Sequence, residues 1–192
     1  MSLDTQIPPA VETYGPPHTI FDAPTAPAAP SSLANHLMLG AAGASVLGIV
    51  ATILPALNFG PLYWMLNQVP GNPIEFPESA NLFWSEFNIM TTFIVVGLFL
   101  AAIVTTVASF ARKDPALLRS AATSGLAAGA FGAFTVFREL SNINEIRPLL
   151  EMVDGGIGPA FIVLAIASII AALLSLGAFV MIARTTPKTA GA

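Results

Sequence analysis

Four long apolar stretches, separated by shorter polar segments, dominate the pattern of hydrophobic and polar positions. They cover about residues 37–57, 89–110, 120–137 and 158–183. A helix rises ~1.5 Å per residue, so each stretch is long enough to cross about 30 Å of hydrocarbon. None carries Lys, Arg, Asp, Glu or His among its central residues. The third, rich in Ala and Gly, is the least hydrophobic. The pattern predicts an all-α integral membrane protein, a four-transmembrane-helix bundle over residues 34–184 with a short tail at 185–192.

Residues 1–33 break the pattern. They are rich in Pro and Ala and contain Asp4, Glu12 and Asp22 but no base. Proline withholds backbone donors, so a disordered tail is expected. A signal peptide is not, since there is no basic region followed by an apolar run. Tyr14 and Phe21 are its candidate contact points.

Two longer loops connect the spans. Residues 58–88 carry Pro61, Pro70, Pro73 and Pro77. Pro61 is placed to open a short helix over 61–68, and Pro77 to open a second that runs on into span two. Tyr63, Trp64 and Trp84 are candidate interfacial anchors, as aromatic side chains favour the headgroup level. In the second loop, residues 139–156, Ile143, Ile146, Leu149, Leu150 and Val153 recur at helical spacing between acids. Pro148 predicts a break there, with a short helix starting at Pro148 and stopped by Gly155 and Gly156, lying on the membrane surface.

Charge sets the orientation. Arg112, Lys113 and Arg119 lie between spans two and three, and Arg184 and Lys188 follow span four. The opposite side has only Arg138, at the end of span three, and Arg147, against seven acids in the two longer loops. Basic residues favour the cytoplasmic side, so both termini are expected there and both longer loops outside. The richness in Ala, Gly and Pro with little Lys points to a bacterial cytoplasmic membrane.

Small residues recur every four positions in two spans: Gly40, Ala44, Gly48 and Thr52 in the first, and Ala121, Gly125, Gly129 and Ala133 in the third. Such ridges admit close helix approach, either within the bundle or to a partner helix. Replacing Gly125 and Gly129 by Leu or Ile is expected to release a partner without unfolding the bundle. Arg138 and Glu139 fall at the outer end of span three, Arg138 as an interfacial anchor and Glu139 reaching solvent. Thr91, Thr92, Thr105, Thr106, Ser168 and Ser175 are hydroxyls within spans that ordinarily bond back to their own helix.

Composition then excludes whole classes of function. Hydrophobic residues make up 55% of the chain and charged residues 9%, the latter far below a soluble domain's share. A net charge of −4 argues against nucleic-acid binding. With no cysteine, thiolate metal sites, iron–sulfur clusters and thiol catalysis are excluded. His18 and His36 lie outside the spans, which leaves no paired axial ligands for haem. No phosphate loop, HExxH motif or nucleophile–His–acid set is present. No cofactor, metal site or catalytic residue is therefore expected. The leading expectation is a non-catalytic tetraspan accessory or structural subunit of a larger membrane complex, whose partners are other integral membrane proteins and the lipid bilayer. The alternative is a small homo-oligomeric transporter, channel or permeabilising protein.

Overall fold

A computed structural model describes residues 32–60, 68, 78–83, 89–151 and 154–185. Four helices make up almost all of it: α1 (Ser32–Ile53), α2 (Ile89–Arg112), α3 (Pro115–Glu151) and α4 (Pro159–Thr185). Each contains a stretch long and apolar enough to cross a membrane. Each helix packs against its neighbours in sequence, and α4 closes the ring against α1. The chain therefore runs up and down around a four-cornered bundle.

The helix ends follow local chemistry. At the turn between α2 and α3, Lys113 adopts a left-handed conformation, φ 52°, which ends α2. Asp114 then caps α3, its Oδ1 accepting from the Ala116 amide at 2.8 Å, and Pro115 fills the first helical position, where no donor is needed. The third helix thus begins before residue 120 and extends well past residue 137. At 37 residues it is roughly 55 Å long.

Contrary to the expectation from Pro148, α3 passes through this residue without a break. Pro148 is exposed and three residues from the helix end, so the lost hydrogen bond falls in a solvated last turn. The stop comes from Asp154, φ 51°, with the Gly155 amide closing on the Leu150 carbonyl at 2.8 Å. This is a Schellman-type closure with aspartate in the place glycine usually takes. Ile143 and Leu150 are buried; Val153 lies outside the described residues.

A small sheet caps the end of the bundle remote from Lys113. Strand β1 (Leu57–Asn58) lies between β2 (Ser79–Ala80) and β3 (Gly156–Ile157), antiparallel to both. Leu57 stands opposite Ala80 and Ile157, and Asn58 opposite Ser79 and Gly156. Further bonds tie the loops to the helix ends: Ala56 to Ala80 and Gly158 to Ala56, both 2.7 Å, and Ala160 to Pro55 at 3.1 Å. A Cβ on Gly158 would run into the Pro55 carbonyl, so only glycine permits that approach. The helix expected from Pro77 into span two is absent: the described residues there are β2 and the turn at Asn81–Phe83, and α2 starts at Ile89. Pairing with β1 satisfies that backbone instead. The helix expected over 61–68, and Tyr63, Trp64 and Trp84, lie outside the described residues, Gln68 excepted. The first helix ends at Ile53, two residues before Pro55.

The bundle is built inside out relative to a soluble protein. Its interior is dominated by Ala, Ser, Thr and Gly, joined by a few large groups such as Phe99, Phe161, Leu164 and Met38. Large aliphatic and aromatic side chains cover its outside: Leu39 is 62% exposed, Phe93 57%, Ile162 62% and Leu173 63%. Burying such side chains in an apolar solvent stabilises each by about 1.5–3 kcal/mol. This surface suits hydrocarbon.

Candidate functional site

Gly48, Gly125 and Gly129 are buried at helix–helix seams inside the bundle, while Gly40 is exposed at the edge of the seam between α1 and α4. A Cβ on Gly129 would approach the Ser168 carbonyl oxygen to 2.5 Å and the Ala172 amide nitrogen to 2.6 Å, both backbone atoms of α4. On Gly125 it would overlap Ser175. Gly40 meets Leu174 at 2.8 Å, and Gly48 meets the Phe99 ring at 2.5 Å. Ala44 and Ala121 are buried, and Ala133 is half-buried on α3. Substitution of Gly125 and Gly129 by Leu or Ile would therefore strike α4, so release of a partner with the bundle intact is not the outcome the packing allows.

Phe99 ties the middle of the bundle together. Fully buried, it projects from α2 towards Gly48 of α1 and Gly132 of α3. Most interior hydroxyls bond to their own helix: Ser45 to Ala41 at 2.8 Å, Thr52 to Ile49 and Thr106 to Ala102 at 2.7 Å each. Ser168 and Ser175 have no hydrogen-bond partner and instead lie against Gly132 and Gly125, where only weak Cα–H contacts can compensate. No continuous polar line follows from these positions.

The charged residues at the sheet end behave differently from their sequence reading. Glu139 does not reach solvent: it is 5% exposed and paired with Arg138, its neighbour in sequence. Arg138 also donates to Thr91 Oγ1 of α2 at 3.1 Å. The adjacent Thr92 donates to the Leu82 carbonyl at 2.8 Å, linking α2 to the cap. An uncompensated carboxylate here would be costly, and the half-buried guanidinium keeps it neutralised. Arg138 thus ties α3 to α2, and Thr92 ties α2 to the cap. Arg147 and Glu151 pair at 2.8 Å on the exposed end of α3. No group of His, Cys, Asp or Glu suited to a metal occurs among the described residues.

A second stripe of small residues runs along the outward side of α3. The exposed face of α3 carries Ala116, Ser120, Thr123, Ala127 and Ala130, followed by Phe134 and Phe137. Their spacing alternates four and three, which keeps them on one stripe of a helix. Small residues are also exposed on α1 (Gly40, Gly43) and α2 (Gly97, Ala101), but there large apolar side chains flank them; on α3 no large apolar side chain is exposed from Ala116 to Ala130. The alternating four-and-three spacing is visible in the sequence, but the stripe contains no glycine and is offset from the ridge of Gly125 and Gly129.

The chain matches no family model, and neither a curated protein nor a solved structure is similar to it.

Proposed function

We propose that this protein is a multi-pass membrane protein serving as a non-catalytic subunit of a larger membrane complex, with the outward face of α3 as its docking surface. The observation that carries the reading is the length of that stripe: no large apolar side chain is exposed from Ala116 to Ala130, whereas the small exposed pairs Gly40/Gly43 of α1 and Gly97/Ala101 of α2 are flanked by large ones. In lipid, helices associate through close packing rather than through a hydrophobic drive, and small residues let a second backbone approach. Ala116, Ser120, Thr123, Ala127 and Ala130 offer such an approach, and Ser120 and Thr123 add hydroxyls that can bond across. Gly48, Gly125 and Gly129 are already covered by this chain's own helices, so the docking role moves to the alanine stripe. Orientation with both termini in the cytoplasm follows from the basic residues at the Lys113 end.

The experiment is co-purification of the tagged full chain from its native membrane in mild detergent. Ala127→Leu with Ala130→Leu should strip a stoichiometric partner while leaving helicity and thermal stability unchanged. A control on α4, Leu173→Ala, should retain the partner. A self-associated chain with no second protein would replace the subunit reading with the homo-oligomeric one.

A further inference from the structure

At the basic end, the seam between α3 and α4 opens into a groove of about 270 Å³ lined by Arg119, Phe179, Ile182 and Ala183. Ile182 is buried, while Phe179, Ala183 and Arg119 are exposed. The surroundings share one sign. Arg112 and Lys113 lie at the turn between α2 and α3, and Arg184 follows Ala183. Among the described residues Asp114 is the one carboxylate at this end, and it caps α3.

We propose that this groove holds one anionic phospholipid, its phosphate on Arg119 and an acyl chain against Phe179, Ile182 and Ala183. The inference rests on insertion of the bundle in a bilayer but not on the docking of a partner. A groove on this surface is bathed in lipid, and its apolar lining favours a chain over water. Arg119 lies four residues beyond Pro115, about 6 Å along the helix axis, so its side chain reaches back to headgroup depth. A guanidinium offers five donors in a planar fork that matches two phosphate oxygens, enough to serve a phosphate alongside contacts within the protein. The neighbouring cations favour an anionic headgroup over a zwitterionic one.

The test reconstitutes the full chain in nanodiscs of equal phosphatidylglycerol and phosphatidylcholine and counts retained lipid by native mass spectrometry. One phosphatidylglycerol should be retained in preference to phosphatidylcholine. Arg119→Gln should lower that retention about five- to tenfold, whereas Arg112→Gln should change it by no more than about twofold. Ala183→Phe, which fills the groove and keeps every charge, should also lower it. Circular dichroism establishes that each variant is folded, and Arg119→Lys, with the charge but not the fork, should fall between wild type and Arg119→Gln. Equal retention of the two lipids, or equal effects of Arg119→Gln and Arg112→Gln, would overturn the proposal. So would soluble glycerol phosphate binding as tightly as phosphatidylglycerol in detergent, since the groove would then contribute nothing. Failure of the chain to enter nanodiscs would overturn bilayer insertion as well, and is distinguished by protein eluting apart from the discs.

Discussion

Adding one methyl group to Gly129 should damage the bundle, while the same change at Gly43 should not. The Gly129 Cβ would stand 2.5 Å from the Ser168 carbonyl oxygen, 2.6 Å from the Ala172 amide nitrogen and 2.8 Å from the Ala172 Cβ. Two of those atoms are backbone and cannot rotate away. Ordinary carbon contacts lie near 3.5–4.0 Å, so α3 and α4 would have to separate by about 1 Å, forfeiting a quarter to a half of the dispersion energy of nearby contacts. Overpacking of this kind costs about 1–3 kcal/mol, offset by the roughly 0.8–1 kcal/mol that alanine gains over glycine within a helix. A net loss of about 0–2 kcal/mol is predicted for Gly129→Ala, leaving it about 1–3 kcal/mol below Gly43→Ala. Nothing lies within 4 Å of a Cβ on Gly43, so that variant should be neutral or up to about 1 kcal/mol more stable. Reversible unfolding in mixed micelles, followed by circular dichroism, compares the two directly. Equal stability of Gly129→Ala and Gly43→Ala would refute the placement of α3 against α4.

Arg138→Met should cost about 1–3 kcal/mol, discounted for the exposure of the guanidinium, because it leaves the buried Glu139 carboxylate without its cation. Arg138→Met with Glu139→Leu should recover most of that loss, and a double variant no more stable than the single one would argue against the pairing. Thr92→Val removes the bond to the Leu82 carbonyl and should cost about 1 kcal/mol. It should also speed proteolysis near residues 78–83, and an unchanged cleavage rate would count against the tie between α2 and the cap. Arg119→Gln should release anionic lipid as described above, read by native mass spectrometry.

How far the sequence speaks depends on the range of the interaction. The four helices are legible because each is encoded by a local run of apolar residues, whereas the start of α3 at Pro115 precedes the apolar run from about residue 120 and is set by the Asp114 cap. The passage of α3 through Pro148 is not legible, because the cost of a proline depends on whether its missing donor falls in a buried or a solvated turn. Nor is the sheet, whose two-residue strands arise from pairing among segments as distant as Leu57, Ala80 and Ile157. Glu139 shows the same limit: adjacency to Arg138 in sequence gave no sign that its carboxylate is buried or that Arg138 reaches Thr91 of α2. The ridge of Gly125 and Gly129 was readable as a close-packing surface, but which helix it meets is a tertiary fact. Once α4 is seen to fill it, the alanine stripe on the opposite side becomes the informative one.

The central claim is that the exposed face of α3, and not that of α4, contacts another protein in the membrane. Site-specific photo-crosslinking in intact native membranes tests it most directly, with the probe placed in turn at Ala116, Thr123, Ala127 and Ala130 on α3 and at Ile162, Ile166 and Leu173 on α4. Adducts to one distinct membrane protein at the α3 positions, with none at the α4 positions, are predicted. Protein adducts confined to α4, adducts only between copies of this chain, or lipid adducts alone at every position would contradict the account.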